Sequence, residues 1–425
     1  MALISRRSIL ELGASALTNP MLSGSHGGYV SPEEFGAYGD GISDDSKAIE
    51  QADLAAASLE VSVLLRGQYR VEGQLKMSAS WHFEGGEIIR DWFDSHSTAE
   101  KDKSATITGR NNDSYASFYT NKGSYSPVSL LSNLSMTGNG TVRMSDRARK
   151  YYDQNPNSHS TNLYMLCNDF RIGDGMRFSL GGNDWCIVYG GSGFVGEPFS
   201  IFSQSSKSSG IYEDGFHVLF GDGGRGWDWS IESGDDSIAF ANNLNLPISD
   251  WRIFDPYVFS RMAFGIKIAS QRLGATSKFE KVTNALENIH IVRPRWWLRH
   301  GERSRNGYVR FDASGEKPGI VRNCSVTGGL FAGSNNRLPK GFLSGVAALS
   351  FSGPTTDCLV EAEVRHPSLW TVLMTASQNG LGPLRSRMHV RCQDEPNWVG
   401  AKGIRAVDLR GAGEGSWVSG SIVGH

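Results

Sequence analysis

Three aspartates near the middle of the chain have the types and the spacing that acid–base chemistry needs. Asp214 precedes Gly215, and Asp235 and Asp236 follow Gly234 further along the chain. If their separation from Asp214, about 20 residues, is one turn of a coiled chain, equivalent positions lie one inter-strand spacing apart, roughly 5 Å. Carboxylates that close together favour one protonated group beside an ionised one. The spacing therefore predicts a cluster that could protonate a leaving oxygen and activate water, as in hydrolysis of a glycosidic bond.

The same aspartates are also compatible with structural roles. Asp-Gly readily reaches left-handed backbone angles, so Asp214 could serve only a turn. Asp235 and Asp236 could bond to turn amides or hold a structural cation. Neighbouring residues of a strand point to opposite faces, so both reach one cleft only if the chain turns or bulges there. His217, three positions after Asp214, could adjust that carboxylate or could be a structural histidine.

Short strands must position these aspartates, because the composition disfavours long helices. Glycine accounts for 51 of 425 residues, and with abundant aromatic residues it favours many short strands closed by tight turns. Alternating apolar runs bounded by turn residues predict strands at Val61–Leu65, Glu87–Arg90, Asn133–Met136, Phe170–Ile172, Trp185–Tyr189, Trp229–Ile231, Trp251–Phe254, Gly265–Ile268 and Asn288–Val292.

A repeat in the C-terminal part predicts that these strands form the coils of one solenoid. Successive runs recur with a loose period of about 30–35 residues, and they start at Asn288, Asn323, Asp357, Arg387 and Ser416. Cys324, Cys358 and Cys392 are equally spaced with a similar period, which predicts that these thiols stack in one interior column of adjacent coils.

The residues at the start of the predicted solenoid indicate a helix that caps its end. Glycines in Phe35–Gly41 permit a sharp turn, and Ser43 or Asp44 can cap a helix at about 44–58. The apolar face of this helix comprises Ala48, Ile49, Ala52 and Leu54–Ala57. An uncapped coil would expose its interior and its strand edges. The stretch resembles the opening of pectin-lyase-like proteins. This implies an all-β fold, a single-stranded right-handed parallel β-helix over residues 30–425 with a short N-terminal capping helix.

The aspartate motif resembles the polygalacturonase family of inverting glycoside hydrolases, in which a strand-end Asp-Gly is followed one coil later by Gly-Asp-Asp. The resemblance implies that Asp236 is the general acid, and that Asp214 and Asp235 position and deprotonate water. It also implies cationic substrate-binding positions further along the helix. Lys267 and Arg310 are candidates for these positions, and Arg261 is a further candidate for substrate contact.

The chain departs from the family pattern at several positions. Tyr212-Glu213 stands where Asn-Thr usually precedes the first aspartate, and Phe264 stands where a histidine is expected. The family's Arg-Ile-Lys triplet appears at best as Arg310-Phe311-Asp312, without the lysine. The resemblance covers the cap and the central region, and it supports the acid chemistry better than it supports a pectin substrate.

Aromatic and basic side chains near the aspartates could contact a sugar. Flat apolar rings suit the faces of sugar rings, although rings also fill the interior of a β-helix. The tryptophans in question are Trp227, Trp229, Trp251, Trp296 and Trp297. The stretch Arg293–His300 places guanidinium groups beside two of these rings, so it could hold an acidic polysaccharide or form a subunit contact.

Charge, cysteine count and motif content exclude several classes of function. With 42 Lys+Arg against 44 Asp+Glu the formal net charge is -2, so no positive surplus draws the chain to nucleic acid or to an anionic membrane. No apolar run is long enough to span a bilayer. The five cysteines form no CxxC pair, and their odd number argues against a complete disulfide framework. No nucleotide-binding or zinc-protease motif is present, so we expect no cofactor and no metal.

Residues 1–29 precede the predicted solenoid. Ser5-Arg6-Arg7-Ser8-Ile9-Leu10 is similar to the start of a twin-arginine export signal, and Glu11 interrupts the apolar stretch that follows. Export predicts a secreted or periplasmic protein. The alternative is an N-terminal arm that packs against a partner chain, as in a virion-associated protein.

Three functions are compatible with these features. The first is an inverting glycosidase that cleaves a plant or bacterial polysaccharide, as a monomer or a homotrimer. The second is a polysaccharide lyase on the same fold, in which Arg or Lys abstracts a proton and calcium neutralises the uronate. The third is a trimeric phage tail-spike or adhesin that binds surface glycans, with or without cleavage. The Asp-Gly and Gly-Asp-Asp spacing favours hydrolysis over elimination.

Overall fold

The chain winds into a long parallel β-helix. The computed structural model describes residues 28–92, 105–109, 130–155, 161–180, 185–203, 214–241, 246–261, 263–270, 285–297, 307–313, 319–332, 347–365, 370–377, 380–392 and 407–422. Within these residues the strands pair in parallel, each with the equivalent strand of the next coil. The predicted fold class, a right-handed parallel β-helix, is confirmed.

The described residues contain 36 strands and two α-helices, which we number along the chain. The helices are α1 (Ser46–Leu59) and α2 (Asp146–Gln154), and a 3₁₀ turn covers Pro32–Phe35. The strands are β1 Tyr29–Val30, β2 Asp40–Asp44, β3 Ser62–Leu65, β4 Gln68–Val71, β5 Leu75–Lys76, β6 Trp81–Phe83, β7 Glu87–Arg90, β8 Ala105–Gly109, β9 Leu131–Ser132, β10 Ser135–Gly138, β11 Thr141–Met144, β12 Thr161–Asn168, β13 Arg171–Ile172, β14 Arg177–Leu180, β15 Ile187–Gly190, β16 Val195–Gly196, β17 Ser200–Ser203, β18 Phe216–Asp222, β19 Arg225–Trp227, β20 Ser230–Ser233, β21 Ile238–Ala241, β22 Ile248–Phe254, β23 Tyr257–Ser260, β24 Ile266–Ala269, β25 Ala285–Val292, β26 Arg295–Trp297, β27 Val309–Asp312, β28 Ile320–Arg322, β29 Ser325–Ala332, β30 Ala347–Ser352, β31 Thr355–Thr356, β32 Leu359–Arg365, β33 Trp370–Thr375, β34 Arg387–Cys392, β35 Val407–Asp408 and β36 Trp417–Ile422.

One face of the helix, which we call sheet 1, carries the central aspartates. It comprises β5, β8, β12, β15, β18, β21, β24, β27, β30, β33 and β35. Side chains alternate along each strand, so one column of residues faces the lumen and the next faces outwards. Ile187, Phe216, Ile238, Ile266 and Val309 stack in register in the lumen.

The outward-facing column of sheet 1 lies one residue further along each strand. It contains Val188, His217, Ala239, Lys267 and Arg310 on five successive coils. Lys267 therefore faces outwards, as its alternating pattern predicts.

Most other strands form sheet 2, which closes the remaining sides of each coil. The bends before β22, β25, β29, β32 and β34, or within the first residues of these strands, use residues with positive φ: Asp250, Asn288, Asn323, Asp357 and Arg385. Asn and Asp tolerate this left-handed conformation better than most residues do. Their side chains also link the coils, since Asn323 Nδ2 donates to Asn288 Oδ1 (2.6 Å) and Asn288 Nδ2 donates to Asp250 Oδ1 (3.0 Å).

Helix α1 covers the N-terminal end of the core, as the sequence predicts. Its buried residues include Ala48, Ile49 and Ala52. Asp53 is buried as well, and it accepts hydrogen bonds from Trp81 Nε1 (2.8 Å) and from the backbone at 78 and 79. One expectation about this face is wrong: Leu54 is exposed, because it follows the buried residues by less than one helical turn and lies on the opposite side.

The nine predicted strands each overlap an observed strand, although their bounds shift by a few positions. The predicted column of three cysteines is only partly correct. Cys324 aligns with Cys358, but Cys358 aligns with Ser386, whose Oγ accepts a hydrogen bond from the Cys358 backbone N–H. The coil between Cys358 and Ser386 is shorter than the cysteine spacing requires, so Cys392 lies elsewhere in the core.

Two further regions are helix α2 and the N-terminal residues. Helix α2, which the sequence analysis did not predict, packs Ala148 and Tyr152 against Met144. Residues 1–27 lie outside the described part of the chain, so the proposed export signal or arm stays a prediction. Within the described residues, no helix has both the length and the apolar character needed to cross a bilayer.

Candidate active site

The winding of sheet 1 places Asp214 directly beside Asp236. Each lies two positions before its strand, β18 or β21, and Phe216 pairs with Ile238 in register. The Gly215 N–H donates to the Asp236 carbonyl oxygen (2.8 Å), so the bends before the two strands stack as well. The expectation that the chain completes one coil between Asp214 and Asp236 is confirmed.

Asp214 is buried, and two donors hold its carboxylate. The backbone N–H of Asp236 donates to Oδ1 (3.1 Å), and Oδ2 lies 2.8 Å from Nδ1 of His217. Two donors on different oxygens fix the plane of the carboxylate. Neither Asp214 nor Gly215 has a positive φ, so the left-handed turn that the sequence allowed is not formed at this position.

His217 contacts Asp214 because both lie on the outer surface of the same coil. The side chain of His217 points away from the lumen, between the inward-facing Phe216 and Val218. Its ring stacks on that of Trp185, with centroids 3.9 Å apart and an interplanar angle of 21°. The stacking limits rotation of the imidazole, so Nδ1 stays directed at the carboxylate.

Asp236 is almost fully buried and forms an ion pair with Lys267. Asp236 Oδ2 lies 2.8 Å from Lys267 Nζ, and the Phe264 backbone N–H donates to Oδ1 (3.1 Å). Burial raises the pKa of Asp236, and the charge of Asp214 adds to the rise, while Lys267 opposes it. Burial alone would lower the pKa of Lys267, but the carboxylates of Asp236 and Asp214 outweigh burial and raise it.

Asp235 is the partly exposed member of the trio. The carboxylate oxygens of Asp214, Asp235 and Asp236 can all lie within 4.8 Å of one another. Residues 234–236 form a bend rather than a strand, so two consecutive side chains reach the same site. Oxygen ligands at this separation would also suit a hard cation, and Lys267 already supplies one positive charge to the cluster.

Lys267 and Arg310 occupy neighbouring positions on the outer face of sheet 1. They are in register on β24 and β27, and each has a carboxylate partner. Arg310 pairs with the buried Asp312, and its guanidinium lies over the Phe264 ring, 5.3 Å from the centroid. Phe264 thus occupies the rung after Asp236, between the acids and Arg310.

The register places Arg261 beside Gly234, at the bend that carries Asp235, whereas three of the tryptophan candidates lie within the core. Arg261 follows β23, and its backbone N–H donates to the Ser233 carbonyl oxygen (3.1 Å), one coil beyond the bend that carries Asp235. Trp229, Trp251 and Trp296 are buried in the lumen and cannot contact a sugar, so the interior alternative is correct for them.

The basic stretch Arg293–His300 does not join the aspartates. Its strand β26 belongs to sheet 2, where it pairs with β23 and β29, and Arg293 forms an ion pair with Asp255. The side chain of Trp297 and residues 298–300 lie outside the described part of the chain.

The sequence identified the three aspartates, Lys267 and the possible contact of His217 with Asp214, but it did not indicate that Trp185 and Phe264 adjoin the site. Trp185 and Phe264 occupy the same bend position as Asp214 and Asp236, one coil before and one coil after. Their positions follow from the register, which requires the number of residues in each coil. The one available signal was the short spacing from Asp214 to His217, which places both on one outer surface.

The fold is a right-handed parallel β-helix, and its outer face carries a cluster of three carboxylates. No protein-family model matches the sequence, and no curated protein matches it. Among solved structures, a Family 28 exopolygalacturonase of Yersinia enterocolitica is similar, with a TM-score of 0.57, 12% identity and coverage of 93% of this chain and 79% of that chain.

Two further solved structures illustrate the range of similar proteins. The endo-xylogalacturonan hydrolase of Aspergillus tubingensis has a TM-score of 0.54 and 14% identity, over 92% of this chain and 93% of that chain. A tailspike protein of E. coli bacteriophage HK620, in complex with a hexasaccharide, has a TM-score of 0.53 and 12% identity, over 92% and 71%. At these identities the similarity shows the fold alone.

Proposed function

We propose that this protein is a polysaccharide-degrading glycoside hydrolase, similar to polygalacturonases in its acid–base chemistry. The observation that carries the proposal is the convergence of Asp214, Asp235 and Asp236 on the outer face of sheet 1. Crowding three carboxylates costs free energy and shifts their pKa values, which is typical of sites that perform acid–base chemistry. The similar hydrolases and the tailspike bound to a hexasaccharide support a carbohydrate ligand.

The surroundings of the aspartates favour a different division of roles from the one the sequence implied. Asp235 is the member of the trio that is partly exposed, so it can approach the glycosidic oxygen and act as general acid. Lys267 pairs with Asp236 and opposes the rise in pKa that burial causes, and a carboxylate with a raised pKa is a stronger base once it is ionised. Asp214 and Asp236 together then orient and deprotonate water.

Inversion at the anomeric carbon stays part of the proposal. Asp214 and Asp236 are buried and have donors on both carboxylate oxygens. This favours activation of a small water over direct attack on a sugar carbon. The cluster is nevertheless tighter than the roughly 6.5–9.5 Å between the carboxyl groups of most inverting enzymes. The anomeric form of the first product, measured by NMR, tests the assignment.

The lyase alternative receives less support from the site. Elimination needs a basic residue that can accept a proton from carbon, and the carboxylates around Lys267 raise its pKa and keep it protonated. The two mechanisms differ in their products: hydrolysis adds one water to each product pair, whereas elimination produces an unsaturated sugar that absorbs ultraviolet light. We expect hydrolysis products and activity that survives a chelator.

The roles of the aspartates can be separated with substrates that differ in their leaving group. Acidic and neutral polysaccharides are first screened by product mass. On a responsive polysaccharide we expect Asp235→Asn and Asp236→Asn each to lower kcat by about 10²–10⁴-fold. On the corresponding glycoside with a highly acidic leaving group, Asp235→Asn should recover much of its activity because protonation is no longer needed, while Asp236→Asn should stay inactive.

Asp255→Asn is the matched control, because Asp255 directly follows β22 of sheet 2 and pairs with Arg293. Full activity of the Asp236→Asn and Asp214→Asn variants would refute the hydrolase proposal. Recovery of Asp236→Asn instead of Asp235→Asn would restore the roles that the sequence implied. Secretion or export to the periplasm, and a monomeric or trimeric state, remain part of the proposal, to be measured by fractionation and sedimentation.

A further inference from the structure

A patch of exposed basic and aromatic side chains lies on sheet 2, away from the aspartates. Arg225 and Arg252 are in register on β19 and β22, and two positions further along the same strands Trp227 and Phe254 are in register. All four face outwards and are exposed, Trp227 by 36% and Phe254 by 38%. We call these four residues the arginine–aromatic patch.

The two arginines of the patch lack carboxylate partners in the described structure. Several other exposed arginines on the described coils pair with acids, as Arg66 does with Glu84, Arg293 with Asp255 and Arg385 with Asp357. Arg225 and Arg252 instead face each other across adjacent strands, about 4.8 Å apart at the backbone. Like charges directly opposite in a sheet are destabilising, so an anion bound between them would remove a cost.

The neighbouring coils extend both rows of the patch. His290 follows Arg252 in register on β25, and Val292 follows Phe254. His290 is bonded through Nδ1 to Ser325 Oγ (2.8 Å), so Arg225 and Arg252 supply the permanent charge. On the preceding coil the carboxylate of Glu197 forms an ion pair with Arg171.

We propose that the arginine–aromatic patch is a second, non-catalytic binding site for an anionic polysaccharide that lies along the helix axis. Guanidinium groups form strong charge-assisted hydrogen bonds with carboxylate or sulfate, and exposed aromatic rings pack on the apolar faces of sugars. Side chains repeat at the inter-strand spacing, so successive anionic groups of one chain can meet Arg225 and then Arg252. The site lies on a different sheet from the aspartates and does not depend on the proposed hydrolysis.

A polysaccharide fits the patch better than a nucleic acid does. The net charge of the chain is -2, so binding of any polyanion would depend on local contacts and not on a general attraction. The two rings also lie beside the charges on the outer face of sheet 2, which suits an extended sugar chain with alternating charged and apolar surface.

Binding to dextran sulfate, with uncharged dextran as the matched probe, tests this site without any hydrolytic step. For the full chain we expect binding to dextran sulfate and much weaker binding to dextran. Arg225→Gln with Arg252→Gln should weaken dextran sulfate binding at least about tenfold, and Trp227→Ala should weaken it about fivefold. Arg66→Gln, an exposed arginine that is paired with Glu84, should bind as the wild type does.

The patch residues are exposed, so the variants should keep the thermal unfolding midpoint of the wild type. If the double variant unfolds at a lower temperature, the single substitutions of Arg225 and Arg252 replace it in the binding test. Unchanged binding by the arginine variants would overturn the proposal, as would equal losses in Arg66→Gln. Binding to single-stranded DNA with the same affinity and the same dependence on Trp227 would overturn it in favour of a nucleic-acid site. None of these outcomes depends on hydrolytic activity. Failure of the hydrolase proposal can therefore be distinguished from failure of the binding-site proposal.

Discussion

Neighbouring groups, more than residue type, distinguish the three aspartates. Asp214 is held by His217 and by a backbone amide, Asp236 by Lys267 and a backbone amide, and Asp235 lies nearest the solvent. A carboxylate held by two donors keeps a fixed orientation, which a group that positions water requires. Asp235 has the access that a proton donor requires.

The pH dependence of activity should report the ion pair between Lys267 and Asp236. Lys267 favours ionised Asp236, so Lys267→Met should raise the pKa of Asp236 further. If Asp236 acts as base, activity needs its ionised form, and the acidic limb of kcat/KM against pH should move to higher pH. Arg310→Met is the control, since Arg310 pairs with Asp312 and should leave that limb in place. Movement of the alkaline limb instead would identify Asp236 as the acid.

His217 should act on the reaction through Asp214. His217→Ala removes the donor on Asp214 Oδ2, and we expect a loss of about 10–100-fold in kcat with little change in KM. His217→Asn keeps an N–H donor near the same position and should recover part of the loss. Equal kcat values for the two variants, with equal losses of stability, would mean that the histidine only packs against Trp185.

At the scale of elements, helix α1 and the bends of the coils have separate structural roles. The bends stack acids and asparagines between coils, whereas α1 covers the apolar end of the lumen. A solenoid coil contacts only its neighbours, so an end without a cover would expose its core.

The two faces of α1 predict a large loss of stability for one substitution and almost none for a similar one. Ile49 is fully buried against the first coil and Leu54 is 65% exposed on the other side. Ile49→Ala should lower the free energy of unfolding by about 2–4 kcal/mol, and Leu54→Ala should change it by less than about 0.5 kcal/mol. Urea unfolding followed by circular dichroism measures both. Equal effects would show that α1 does not cover the core as described.

At the scale of the whole molecule, the lumen isolates the thiols. All five cysteines are buried and free. Burial raises the pKa of the Cys167 thiol to about 12 and also raises the pKa of Cys324. A thiolate is the reactive form, so thiols with raised pKa values react slowly.

The native protein should therefore be inert to Ellman's reagent at pH 8, and all five thiols should react after denaturation without reductant. A thiol that reacts quickly in the folded protein would contradict the packing of that coil. Fewer than five after denaturation would reveal a disulfide that this structure does not contain.

The sequence by itself determined the coiled fold, the capping helix and the acid trio. Each rests on a local pattern: alternation along a strand, an apolar helical face, and a separation between aspartates that equals one coil. Such patterns are set by backbone geometry, so they can be recognised in the amino-acid sequence.

The tertiary structure alone decided which side chains meet across coils. The pairing of Lys267 with Asp236, the stacking of Trp185 on His217 and the misalignment of Cys392 all depend on how many residues each coil contains. Coil length varies because loops of different size are inserted, and a loop adds residues without adding any strand signal. For that reason the contacts that assign chemical roles became visible only in the folded chain.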